Sequence, residues 1–147
     1  MASMDVGKQL SYSIDLPKRL VLVRFTGKLT AHAITSYTAS LREDPQFDPH
    51  FSEIVDLTGV EEIEITPAEA IALADACDPF DHDSWRAFVT SKEVQTNSAR
   101  MHQILRSPAK NIAIFDTMSS AEQWIQSASA RPATTKSRVF RFPSRTQ

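Results

Sequence analysis

The chain of 147 residues has one cysteine, three glycines and no long apolar run. A lone cysteine, Cys77, excludes an internal disulfide. Its place on the apolar repeat Ala70, Leu73, Ala74, Cys77 predicts a small buried hydrophobe. Gly7, Gly27 and Gly59 are too few and too scattered to cradle phosphate, so no nucleotide cofactor is expected. The roughly 20 apolar residues of a membrane span are missing. The opening MASMDVGKQL lacks the apolar core of a secretory signal, which makes the cytoplasm the expected compartment. Reactive constellations are missing too. His32, His50, His82 and His102 are scattered, and no glycine-framed serine or activated cysteine accompanies them. An enzyme is not expected.

What is present fits one domain able to bury roughly two-thirds of its unfolded surface. With 41% hydrophobic and 23% charged residues, the composition is that of a globular chain. The net charge of -2 hides an asymmetry. Arg131, Lys136, Arg138, Arg141 and Arg145 follow the last acidic residue, Glu122, so an acidic body precedes a basic tail. The expected division is a folded domain over 1–128 and a mobile basic tail over 129–147. Phe140 and Phe142 interleave with the tail's charges, but a short basic tail is ordinarily solvated, and contact with nucleic acid or a membrane is not expected from it.

Ser11 to Leu16 alternates apolar and polar like a half-exposed strand. Leu20-Val21-Leu22-Val23, Ile54-Val55, Ala87-Phe88-Val89 and Ile112 to Phe115 are continuously apolar, as strands covered on both faces are. Four helical stripes separate them: Ala33, Ile34, Tyr37, Leu41; Ala70, Leu73, Ala74, Cys77; Val94, Met101, Ile104, Leu105; and Ala121, Trp124, Ile125. Each stripe is expected in the core. Thr66-Pro67-Ala68-Glu69 and Ser119-Ser120-Ala121-Glu122 both match a capping box. The fold class is therefore α/β: a compact mixed, mostly parallel sheet of four to five strands flanked by about four helices, with an antiparallel N-terminal hairpin whose first strand is an edge.

The stretches FSEIVDLTGVEEIEIT, WRAFVTS, SARMHQIL and NIAIFDTMSSAEQWI make residues 10 to 127 resemble the SpoIIAA-like family, relatives of the STAS domains. The resemblance implies a small sheet flanked by helices, acting by binding a protein partner without turning over a substrate. In anti-sigma-factor antagonists a serine at the start of the helix after the third strand is phosphorylated, in a motif of an acid, two hydroxyl residues and glycine. Here the motif reads Glu64-Ile65-Thr66-Pro67, which keeps the acid and one hydroxyl and loses the rest. Thr66 is accordingly expected to act first as a helix cap. A related lipid-binding fold, CRAL-TRIO, implies an alternative: a small apolar or lipidic ligand walled by Trp85, Phe88, Met101 and Phe115. Exposed sheet edges also make a homodimer an expectation.

In an open α/β sheet, ligands meet the carboxyl ends of the strands. That rule collects Asp56, Thr58, Thr66, Thr90 and Asp116 as the candidate regulatory or partner-binding edge. Asp56 and Thr90 would also suit a phosphoryl-accepting receiver domain, but Phe25-Thr26-Gly27 supplies no acidic pair to hold magnesium. The densest group of metal-ligand types, Asp78-Pro79-Phe80-Asp81-His82-Asp83, is too tightly spaced to converge on an ion. It is expected to be a solvated connection, with no metal bound.

Overall fold

A computed structural model describes residues 2–5, 9–75, 77–106 and 111–129. In chain order the elements are β1 (Ala2–Asp5), β2 (Leu10–Asp15), β3 (Leu20–Thr30), α1 (Ala31–Glu43), β4 (Ser52–Glu64), α2 (Pro67–Ala74), β5 (Arg86–Val89), α3 (Glu93–Leu105), β6 (Ile112–Phe115) and α4 (Met118–Ser129). They form one six-stranded sheet in the order β1-β2-β3-β4-β5-β6. The first two pairings are antiparallel and the others parallel. The five strands expected from the sequence are β2 to β6, and the hairpin is β2–β3. The edge differs: β1 pairs outside β2.

The period-two alternation of strands divides the apolar residues between two faces. Val21, Val23 and Phe25 of β3, Val55 of β4 and Phe88 of β5 join Tyr37 and Leu41 of α1 and Ala99 of α3 in the larger core. On the other face, Ile54, Ala87 and Val89 pack with Ala121 and Ile125 of α4. Helices α1, α2 and α3 thus cover one face of the sheet and α4 covers the other.

β4 is longer than its apolar run suggests. It leaves β5 at Asp56 but stays paired with β3 as far as Glu64, through register shifts near Thr26 and Gly59. Gly59 permits that close approach, because a Cβ there would lie 2.8 Å from Thr26 Cγ2.

Helix α2 begins as its sequence implies: Glu69 N–H donates to Thr66 Oγ1 at 3.2 Å, and Thr66 N–H donates to Glu69 Oε1 at 2.8 Å. The second capping box does not form. Thr117 caps α4 by accepting from Ser120 N–H at 3.1 Å, which leaves Ser119 inside the first turn. Helix α2 also stops at Ala74, so Cys77 lies half-buried in the following loop instead of on a helical face.

Helix α3 is inverted relative to expectation. Val94, Met101, Ile104 and Leu105 are 43%, 49%, 60% and 37% exposed, and the helix turns Gln95, Ala99, His102 and Arg106 toward the interior. Those four positions carry the helical spacing of a buried stripe. Specific bonds compensate their burial. Gln95 takes N–H groups of Ser91 and Lys92 on its Oε1 and donates Nε2–H to Val60 O at 2.7 Å. Arg106 donates to the carbonyls of Ala74 and Phe80. A stripe that makes bonds to the sheet and to the α2–β5 loop wins over an apolar one that could only pack.

Candidate functional site

Between the sheet and α1–α3 lies a cavity of about 370 Å3. Its walls are apolar: Phe25 and Leu29 from β3, Val55, Leu57 and Ile63 from β4, Ile34 from α1 and Phe88 from β5. Val94, Asn97, Met101 and Leu105 line it as well. All four are exposed, so the cavity reaches the surface along α3. The size falls in the range of about 300–1,000 Å3 typical of small-molecule pockets.

The cavity's floor is ionic. Glu53 and Arg86 occupy paired positions on the neighbouring strands β4 and β5, in the stretch where both strands are buried. Arg86 Nε donates to Glu53 Oε1 at 2.9 Å, and its Nη2 lies 2.8 Å from the same oxygen. Nη1 donates to Asp78 Oδ2 at 2.6 Å. Tyr37 Oη donates to Glu53 Oε2 at 2.6 Å. His102 Nε2 lies 3.2 Å from Asp78 Oδ2, and Arg106 Nε lies 3.5 Å from it. Asp78 is held in place by accepting Phe80 N–H on its other oxygen, and the Arg86 guanidinium lies over the Phe80 ring, 4.7 Å from its centre. Apart from the half-exposed His102, these side chains are shielded from solvent.

The electrostatics follow from burial and pairing. Burial alone would raise the Asp78 carboxyl, but the Arg86 charge and the hydrogen bonds from His102 and Arg86 outweigh it and hold the group well below the usual carboxylate range. Burial would lower Arg86, yet Glu53 and Asp78 drive it the other way and lock the guanidinium in its charged form. Tyr37 is pushed well above the ordinary phenol value, first by burial and then by the adjacent Glu53 carboxylate. The floor therefore holds fixed ion pairs around a neutral phenol, a setting for binding and orientation.

The candidate edge residues are placed differently. Asp56 is buried at the point where β4 parts from β5. It accepts Arg24 Nε at 3.0 Å, Thr58 N–H at 3.0 Å and Thr58 Oγ1 at 2.7 Å. Thr90 is buried just past β5 and shares a 2.8 Å hydrogen bond with Thr96. Asp116 is exposed just past β6. Val89 pairs with both Asp56 and Phe115, so Asp56 is level with the ends of β5 and β6, Thr90 and Asp116 follow one residue beyond those ends, and Thr58 lies two residues beyond Asp56. Thr66 does not join them, because β4 runs on to Glu64 before α2 begins. None of the five lines the cavity.

Of the four expected ligand walls, Phe88 and Met101 line the cavity. Trp85 and Phe115 do not. They pack with Trp124 on the opposite face, since alternation at β5 and along β6 sends Trp85 and Phe115 to the side opposite Phe88 and Ile114. The run Asp78 to Asp83 is not one solvated connection either. His82 and Asp83 are exposed, but the Asp78 carboxylate is 1% exposed within the ion-pair cluster. Among the described residues, no three His, Cys, Asp or Glu side chains are grouped to hold a metal.

Residue order, sheet topology and helix placement agree with a known architecture. The fold is SpoIIAA-like. A solved structure of an uncharacterised protein of the DUF3478 family with a SpoIIAA-like fold, from Shewanella loihica, superposes with a TM-score of 0.57 at 15% identity, over 83% of this chain and 98% of the other. An anti-sigma factor antagonist from Mycobacterium paratuberculosis gives a TM-score of 0.47 at 14% identity, over 84% and 99% of the two chains. No family model matches the sequence, and no curated protein matches it. No helix among the described residues is long and apolar enough to cross a membrane. The basic tail expected over 129–147 lies, from residue 130 on, outside the described residues.

Proposed function

We propose that this SpoIIAA-like chain is a non-enzymatic binding module that holds one small, mostly apolar molecule in the cavity between its sheet and α1–α3. The observation that carries this reading is the combination of apolar walls, a buried ionic floor and a mouth along α3. A few polar groups at one pole of an apolar pocket are what orient a ligand. Native mass spectrometry of the protein from its own host, followed by denaturing analysis of the same sample, tests the proposal. A small molecule released on denaturation is expected. Ala70→Phe, which adds a ring at a half-buried cavity-lining position of α2, should abolish the co-purified molecule while the protein stays folded. Retention of the same molecule by folded Ala70→Phe would overturn the assignment of the site.

A second reading, a regulatory protein-interaction module, is favoured by one observation. Ile71 of α2 and Val94, Met101, Ile104 and Leu105 of α3 are exposed on adjacent helices, a surface suited to a protein partner or a second copy. Asp56, Thr58, Thr90 and Asp116, with Thr66 apart from them, remain the candidate regulatory positions of that reading. Val94, Met101 and Leu105 belong to both the surface and the cavity mouth, so a bound molecule would alter the face offered to a partner. Ile104→Glu should leave stability and ligand content unchanged and abolish any partner complex seen with the wild type. An intact complex would remove α3 as the contact.

A further inference from the structure

The chemistry of the cavity floor restricts the ligand's polar group. Arg86 carries five N–H donors. Three are directed at protein acceptors: Nε and one Nη2 donor toward Glu53 and one Nη1 donor toward Asp78. One N–H on each terminal nitrogen has no protein acceptor among the described residues, although the side chain is 6% exposed and sits on the cavity wall. A buried donor without an acceptor is unfavourable, so an acceptor oxygen reaching this end of the cavity would be bound.

The charge of that acceptor is constrained by its surroundings. The groups facing the floor are Glu53 from β4, Arg86 from β5, Asp78 from the α2–β5 loop, His102 and Arg106 at the end of α3, and the Tyr37 phenol from α1. Two guanidinium ions, Arg86 and Arg106, meet two carboxylates, Glu53 and Asp78, so the fixed charges of the floor balance. A carboxylate or phosphate head would be desolvated beside Glu53 and Asp78 with no surplus cation, and an ammonium head would be desolvated beside Arg86. Burying an unpaired charge is strongly unfavourable, whereas an uncharged oxygen needs only a donor.

We infer that the cavity takes an uncharged amphiphile: an apolar body small enough for a cavity of about 370 Å3, ending in a carbonyl or similar acceptor oxygen that Arg86 holds. The inference rests on the binding reading above and adds the head-group chemistry to it.

The test compares three ligands of matched length, methyl heptyl ketone, nonanoate and nonylammonium, by calorimetric titration at pH 7.5 against wild type and Ala70→Phe. The ketone should bind wild type about tenfold or more tightly than either ion, a difference of about 1.4 kcal/mol, and should not bind Ala70→Phe. The infrared carbonyl stretch of the bound ketone should fall below its frequency in hexane, reporting donation from Arg86 without a variant that risks unfolding. An ion bound as tightly as the ketone, or a carbonyl at its hexane frequency, overturns the head-group inference and leaves the cavity reading intact. If none of the three binds, or all bind Ala70→Phe equally, the cavity reading itself fails.

Discussion

Replacing Arg86 with methionine removes the cation that joins Glu53 to Asp78. Methionine keeps much of the volume, so the change isolates charge from packing. Three contacts disappear, at 2.9, 2.8 and 2.6 Å. Both carboxylates stay buried, Glu53 with only the Tyr37 phenol and Asp78 with His102 and Arg106. Breaking a buried pair by removing one partner costs about 3–5 kcal/mol. At about 2–4 °C per kcal/mol for a chain of this size, Tm should fall by roughly 6–20 °C. In the wild type the folded Asp78 carboxyl is depressed, so its stabilisation is present above the unfolded value near pH 4 and is lost as pH falls through the lower folded value. Without Arg86 the effect of burial is less opposed, the folded value rises, and protonation relieves the strain. The loss relative to wild type should therefore be smaller near pH 5 than near pH 7. Guanidinium unfolding followed by circular dichroism at both pH values measures this. A loss below about 1 kcal/mol that does not change with pH would refute the reading of the floor as a coupled ion-pair cluster.

Three further outcomes are expected. Tyr12 is pushed up to about 12 by burial and by its bond to Asp44, and Tyr37 is raised well above its usual value by burial and Glu53. Raised folded values stabilise the protein below about pH 10 and cease to do so as pH climbs through them, so tyrosinate absorbance should appear only well above pH 10, together with loss of the fold; a tyrosine that ionises near pH 10 in folded protein would contradict this. Thr66→Ala should cost about 1 kcal/mol in chemical unfolding by removing the α2 cap, and Thr66→Ser should recover most of it. Gly59→Ala should cost about 1–3 kcal/mol because the new methyl meets Thr26 Cγ2, and Thr26→Ser, which removes that methyl, should rescue it in a double-mutant cycle; additive losses would place the strain elsewhere.

The sheet was legible because its parallel strands are short apolar runs, and α2 because Thr66, Pro67 and Glu69 write its cap locally. The ionic floor was not, since its partners are far apart in sequence: Glu53 bonds Arg86 across 33 residues and Tyr37 bonds Glu53 across 16. A signal was nevertheless present. A lone acid in Phe51-Ser52-Glu53-Ile54-Val55 and a lone base in Trp85-Arg86-Ala87-Phe88-Val89 sit inside neighbouring buried strands, where an unpaired charge of either sign would not be tolerated. Helix α3 misled for a related reason. Periodicity identifies both an apolar stripe and the Gln95, Ala99, His102, Arg106 stripe, and only knowledge of the acceptors on β4 and the α2–β5 loop decides which turns inward. Of the candidate edge, Asp56, Thr58, Thr90 and Asp116 lie near the carboxyl ends of β5 and β6, while the continuation of β4 to Glu64 carries Thr66 away from them.

Both tryptophans of the chain, Trp85 and Trp124, stand against each other on the α4 face, 5.4 Å between ring centres, while Tyr37 borders the cavity on the opposite face. The molecule thus carries separate native chromophores for its two halves. Tryptophan emission would follow the docking of α4 and stay silent when the cavity fills, and ultraviolet signals from Tyr37 would do the reverse. Unmodified protein can therefore tell a ligand arriving beneath α1–α3 from a helix detaching on the far side.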